Sequence, residues 1–250
     1  MEFERIADKK RLQFIIRALL ENTPRNAAVL DVGCGNGLIT VEVGKSGYVV
    51  TGIDASEASI QNARTLNNLP NVKFCVVAAG EFIPPPDKYA AIICSEVIEH
   101  LHDPLPLIIT LHQSLDDNGI LIVTVPNGAG PRELFVTRPV QYLQSKNHPL
   151  SKFINGIKKS LGYTGTTVQS SADDLSHLQF FTYKSLRKLA DAAGFSIVKF
   201  SKTNFIEQVF PFSLVFKRSK TLQKIDCRVA DVLPMMFTSG FMTVWRKKQH

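Results

Sequence analysis

Glu96, Glu99 and His100 stand close together in the run Cys94-Ser95-Glu96-Val97-Ile98-Glu99-His100, and all three side chains can bind protons or cations. A spacing of four would set Glu96 and His100 on one side of a helical turn. Two chemistries suit such a set. His100, with Glu96 beside it, is a catalytic candidate: histidine ordinarily titrates near neutrality and can remove a proton from an acceptor. Alternatively, Glu96, Glu99 and His100 together can hold a divalent cation such as Mg²⁺, since carboxylates and one imidazole suit a hard or borderline ion. A third reading gives them no ligand at all: they cap a helix and face solvent. His102 and Asp103 read as loop and helix-cap residues, and His148 and His177 as surface residues.

The second chemical feature is Asp31-Val32-Gly33-Cys34-Gly35-Asn36-Gly37. An apolar run stops at glycines and a helical pattern starts at once. Glycine lets the backbone bend sharply and approach a ligand closely, and the N–H groups of a helix start can receive an anionic group. A dinucleotide site would space its glycines G-x-G-x-x-G. Here Gly33, Gly35 and Gly37 give G-x-G-x-G, and position 38 is Leu. That spacing favours S-adenosylmethionine (SAM) over NAD. The next strand ends in Asp54, where a carboxylate can accept hydrogen bonds from both ribose hydroxyls.

These groups need rigid elements to place them. Leu12, Ile15, Ile16, Leu19 and Leu20 predict a helix over Asp8–Glu21, stopped by Pro24. Ala27–Val32 reads as a buried strand, Leu38–Lys45 as a helix and Tyr48–Ile53 as a second strand. Ser56 caps a helix to about Asn67, and Val72–Val77 is a third strand. After the stiff Pro84-Pro85-Pro86 connection come a strand over Tyr89–Cys94, a helix over Leu105–Leu115 and a strand over Ile120–Val125, ended by Pro126-Asn127-Gly128. Thr182 caps a helix over Tyr183–Ala193. Phe195–Phe200 and Phe241–Arg246 read as the last strands, while Asn204–Met236 is ambiguous. The alternation predicts an α/β, Rossmann-like, doubly wound and mostly parallel sheet of seven strands, with an insertion after strand five. Residues 1–250 read as a single domain and residues 128–180 as its insertion or lid.

The 250 residues, 44% hydrophobic and 20% charged, suffice for one such domain with a full core. No apolar run is long enough to span a membrane, and Met1-Glu2-Phe3-Glu4-Arg5 shows no secretory signal. Cys34, Cys75, Cys94 and Cys227 form no C-x-x-C pair, so a reduced, cytoplasmic chain is expected. The net charge of +7 is uneven: Leu134–Ala172 holds Arg138, Lys146, Lys152, Lys158 and Lys159 and no acid. With Phe135, Tyr142, Phe153 and Tyr163, this segment reads as a lid that touches an anionic membrane or a lipid-linked acceptor; Leu150–Leu161 interleaves apolar residues and lysines as an interfacial helix does. A soluble lid packed on its own domain fits the same residues. No RNA-binding module is recognisable, and nucleic acid is not the expected partner.

Asp31–Gly37 resembles motif I of the class I SAM-dependent methyltransferases. The resemblance extends over residues 8–127 and, less closely, over Thr182–Phe200. It is nearest to the ubiquinone-pathway O-methyltransferases and their relatives. Arg11-Leu12-Gln13-Phe14-Ile15 resembles their R-L-x-Y-I, Cys94–His100 their C-x-E-V-x-E-H, and Val125-Pro126-Asn127 the end of their strand five. The resemblance implies SAM contacts at Arg11, Gly33, Gly35, Asp54, Ala55 and Ser95, with Arg11 reaching the methionyl part. It implies Asp31 near the sulfonium and Ala79–Glu81, hence Gly80 and Glu81, along the adenine. It also implies a metal role for Glu96, Glu99 and His100. Two departures stand out: Ala78 where many relatives carry Asp, and Tyr89-Ala90 where many carry Phe-Asp. Adenine recognition is then left to backbone groups or to Glu81.

Three functions remain open on these grounds. The first is O-methylation of a small or lipid-like hydroxylated acceptor. The second is N- or C-methylation of another acceptor, such as a glycan, peptide or RNA. The third is a non-catalytic partner subunit with a SAM fold, against which Gly33, Gly35 and Asp54 argue.

Overall fold

Strands covered on both faces need unbroken apolar runs, and this chain supplies them between its glycine turns. The computed structural model describes residues 3, 5–84, 86–139, 142, 178–209 and 212–249. Seven strands form one sheet: β1 (Ala28–Val32), β2 (Val49–Asp54), β3 (Val72–Val76), β4 (Tyr89–Ser95), β5 (Leu115–Pro126), β6 (Phe195–Lys202) and β7 (Gly240–Lys247). Their order is β3-β2-β1-β4-β5-β7-β6. The first five are parallel, and β7 runs antiparallel between β5 and β6. The helices are α1 (Ile6–Asn22), α2 (Leu38–Lys45), α3 (Glu57–Leu66), α4 (Leu105–Ser114), α5 (Tyr183–Ala192), α6 (Phe212–Phe216) and α7 (Lys220–Val232). The expected doubly wound sheet is therefore present.

β4 shows what holds it. Successive side chains of a strand point to opposite faces. Ile92 and Cys94 enter one core with Leu30, Leu121, Phe195 and Trp245, while Ala91 and Ile93 enter the other with Ile15, Tyr48 and Val244. Each fully buried aliphatic contributes about 1.5–3 kcal/mol, more than the ~0.7 kcal/mol spread of ordinary helix propensities. Burial, not propensity, makes this run a strand.

Two stretches differ from the sequence pattern. β5 begins at Leu115 rather than Ile120. Asp116, Asp117 and Asn118 are exposed there, so they carry no apolar signal. The ambiguous stretch after residue 204 folds into α6 and α7, with Ser219 capping α7 by accepting from the Leu222 N–H at 3.3 Å. Its buried residues are Gln223, Asp226, Cys227 and Ala230, whereas Ile225 and Val232 are exposed, so its apolar residues do not mark the face that packs. Asp226 instead accepts from the N–H groups of Phe205, Ile206 and Glu207 at 2.9, 3.0 and 3.3 Å. Gln223 accepts from the Ile6 N–H at 3.0 Å and ties α7 to α1.

Of the insertion, Pro131–Pro139 coils into helical turns that include a π turn over Glu133–Thr137. Lys146, Lys152, Lys158, Lys159, His148 and His177 lie outside the described residues. Among the described residues no helix is long and apolar enough to cross a membrane. Cys34, Cys75, Cys94 and Cys227 are all free thiols.

Candidate active site

In an open α/β sheet, ligands lie beyond the carboxyl ends of the strands, where the strand order reverses. Here β1 lies between β2 and β4, so the reversal falls between β1 and β4. A cleft of about 790 Å³ opens at that edge. One half, over β3-β2-β1, is lined by Ala79, Asp54 and Gly33. The other, over β5-β7-β6, is lined by Pro126, Ser239 and Asn204. Ser95 and Glu96, at the end of β4, lie between.

The glycine loop is shaped by contacts that only glycine allows. Gly33, Gly35 and Gly37 have φ of 68°, 54° and 77°, a region costly for other residues. A Cβ at Gly33 would strike Val97, and one at Gly37 would lie 2.6 Å from the Phe74 ring. The N–H groups of Gly33 and Cys34 both donate to the Ile53 carbonyl, at 2.8 and 3.0 Å. Asp54 then accepts from the Gly35 N–H through Oδ2 and from the Ser56 N–H through Oδ1, each at 2.8 Å. Each oxygen keeps a second lone pair. The carboxylate is thus locked edge-on beside the loop and can still accept two hydroxyls. This cradle fits an adenosyl sugar, with Ala55 and Gly80 also on its wall.

Glu96 does not share a helical turn with His100. Its φ is 58°, and the only helical turn in this segment is the 3-10 turn Ile98–His100. A left-handed non-glycine residue costs about 1–2 kcal/mol. The conformation persists because Glu96 is held at three points. Its N–H donates to the Thr124 carbonyl at 2.9 Å. Its Oε1 accepts from the Thr124 hydroxyl at 2.9 Å and pairs with the Arg11 guanidinium at 3.2 Å. Hydrogen bonds to a charged group contribute about 1.5–3 kcal/mol each, which outweighs the strain. Arg11 also pairs with Asp8 at 2.9 Å, and Ser95 is hydrogen-bonded to Thr124 at 2.8 Å. Arg11, Glu96, Thr124 and Ser95 form one polar wall between α1, β4 and β5.

Glu99 and His100 stand apart from that wall. Glu99 is 1% exposed, and neither carboxyl oxygen has a hydrogen-bond partner among the described residues. Burial, with Glu96 nearby, pushes its carboxyl well above the usual range, against the pull of Arg11 and Arg132. His100 Nε2 lies 3.8 Å from Glu99 Oε1, and both side chains line the cleft. Among the described residues no three His, Cys, Asp or Glu side chains are disposed to hold a metal ion. With Glu96 turned to Arg11 and Thr124, the set does not fit a divalent cation.

Two expected contacts fall outside the cleft lining. Glu81 is exposed on a 3-10 turn. Asp31 is 2% exposed and faces α2, accepting from the Thr40 hydroxyl at 2.6 Å. Conversely, Arg5, Asp8, Arg132 and Asn204 line the cleft without having been singled out. Arg132 and Asn204 come from stretches with no regular periodicity, and Arg5 and Asp8 read as ordinary helix-start charges.

Burial pushes the Asp31 carboxyl up to about 7; the Thr40 hydrogen bond opposes this and the Asp54 charge adds to it. The unfolded chain gives up that proton near pH ~4. The native state therefore holds the proton longer, so the Asp31 contribution to stability is largest below that pH and falls as pH rises to about 7. Between about pH 5 and about pH 8 the loss is about 2–3 kcal/mol. Asp31→Asn is expected to flatten this fall in calorimetric melts across the same range. An unchanged fall would mean that Asp31 titrates as an ordinary carboxylate.

Comparison with known proteins agrees with this geometry. Residues 3–199 match the family model described as a methyltransferase domain. The ubiquinone biosynthesis O-methyltransferase of Rickettsia canadensis is 30% identical over 190 residues, covering 72% of this chain and 79% of that protein. The protein of the same name from Rickettsia akari is 34% identical over 121 residues; this match spans about half of each chain, 47% and 48%. Among solved structures, the SAM-dependent methyltransferase of Mesorhizobium loti superposes with a TM-score of 0.61 at 16% identity, covering 96% of this chain and all of that one. The magnesium protoporphyrin IX methyltransferase of Synechocystis, solved with bound SAH, superposes with a TM-score of 0.57 at 16% identity, covering 97% and 84%. With its glycine loop and seven-stranded sheet, the chain belongs to the methyltransferase-domain family and is a SAM-dependent methyltransferase.

Proposed function

We propose that the enzyme methylates a hydroxyl oxygen of a small acceptor, with His100 taking the acceptor's proton and Glu99 orienting His100. The reading is carried by one observation: His100 and the buried Glu99 face each other at 3.8 Å on the cleft wall, while Glu96 is tied to Arg11 and Thr124. SAM supplies an already activated methyl group. The protein's tasks are alignment and, for a hydroxyl acceptor, removal of a proton. Asp54 and the glycine loop hold the sugar. Arg11, kept in place by Asp8 and Glu96, presents its guanidinium to the methionyl end. His100 accepts the proton in a part-buried site, beside the buried Glu99 carboxyl. The relatives named ubiquinone biosynthesis O-methyltransferase support an oxygen acceptor. Lys146, Lys152, Lys158 and Lys159, in a stretch without acids, support a lid that meets an anionic membrane, where a lipid-like acceptor would be presented.

Isotopically labelled SAM offered with catechol or with ortho-phenylenediamine tests the choice of atom. Mass spectrometry is expected to find label on oxygen at least about tenfold faster than on nitrogen, as a base suited to hydroxyl protons implies. Label on nitrogen alone would remove the oxygen-acceptor reading and leave SAM binding untouched.

A further inference from the structure

We infer that the half of the cleft over β5-β7-β6 is an oxyanion subsite, in which Arg132 and the side-chain amide of Asn204 hold a carboxylate or phosphate group carried by the acceptor. The inference rests on the reading above, in that the acceptor occupies this half because the adenosyl cradle fills the other. Arg132 sits on the helical turn that follows β5, is part-buried and lines the cleft. Its charge acts on Glu99. Yet among the described residues it forms neither an ion pair nor a hydrogen bond. A guanidinium that served only to balance Glu99 would pair with it. Its planar fork matches a carboxylate or phosphate in bidentate fashion.

Asn204 supplies the second, independent observation. It is 1% exposed and lines the same half of the cleft. Its amide nitrogen is buried and has no hydrogen-bond partner among the described residues. A buried donor left unmade is costly, and most such groups are satisfied by a ligand, a partner or water. Its backbone is well fixed. The Asn204 carbonyl accepts from the Ser239 N–H at 2.8 Å, and Asp226 gathers the next three N–H groups. The amide is therefore held in position before any ligand arrives. A guanidinium and a preset amide donor on one wall recognise an oxyanion, and neither has a use for a neutral hydrocarbon.

Calorimetric titration tests this with benzoate, phenyl phosphate and the neutral benzyl alcohol, at saturating S-adenosylhomocysteine and again without it. At least one anion is expected to bind about tenfold or more tightly than benzyl alcohol; which one distinguishes a carboxylate from a phosphate. Arg132→Gln is expected to erase that preference, and Arg132→Lys to keep part of it, with S-adenosylhomocysteine affinity within about twofold of wild type. Equal binding of neutral and anionic probes to the wild-type protein would overturn the subsite without need of any variant. So would a preference that survives in Arg132→Gln. Label arriving on nitrogen in the acceptor comparison would instead overturn the oxygen reading and leave this subsite standing.

Discussion

An Asp54→Ala protein is expected to bind S-adenosylhomocysteine at least about 100-fold more weakly than wild type. The carboxylate already accepts from the N–H groups of Gly35 and Ser56, which leaves one lone pair on each oxygen for the two ribose hydroxyls. Each hydrogen bond to a charged group contributes about 1.5–3 kcal/mol, so losing two costs about 3–6 kcal/mol. The Gly35 N–H also loses the acceptor that holds the loop. Asp54→Asn separates the two effects: its remaining oxygen can keep the loop while its charge is gone, and an intermediate loss is expected. Calorimetric titration, paired with a thermal melt to confirm folding, reads both. An alanine variant within about fivefold of wild type would remove Asp54 from the donor site.

The second large effect is expected at His100. His100→Ala should lower kcat by about 10²–10⁴-fold, the usual range for losing a general base, while S-adenosylhomocysteine affinity stays within about twofold. Glu99→Gln should lower kcat less, because the imidazole remains and only the carboxyl 3.8 Å from it is replaced. Glu96→Gln should behave differently from both. It breaks the pairing with Arg11 at 3.2 Å and relaxes a backbone held at φ 58°, so donor affinity and folding stability should fall along with turnover. Full turnover by His100→Ala would end its assignment as base. Equal behaviour of the Glu96 and Glu99 variants would end the division of roles between them.

That division could not be read from spacing. A four-residue interval suggests one helical face, and it suggested that Glu96, Glu99 and His100 act as a set. The chain instead turns left-handed at Glu96 because Thr124 and Arg11, distant in sequence, capture its N–H and carboxylate. The surroundings of Asp31 and Glu81 were likewise set by the tertiary structure. Each belongs to a recognisable stretch, but the side chain of Asp31 points to Thr40 on α2, and Glu81 stands exposed on its turn. Asn204 escaped notice because the helix that anchors its loop buries Asp226 and Gln223, a polar face that mimics a surface.

What the amino-acid order determined by itself was local. Short unbroken apolar runs bounded by turn residues read as strands covered on both sides; Gly33, Gly35 and Gly37 permit a bend with positive φ at each; and Asp54 closes the next strand beside it. Such features depend on neighbours a few residues away, so they survive in the bare sequence. Only the tertiary structure decided which polar groups meet at the cleft: Arg11 with Glu96 and Glu99 with His100. Those pairings join elements remote along the chain, and the order in which the strands assemble, which no local pattern encodes, sets them.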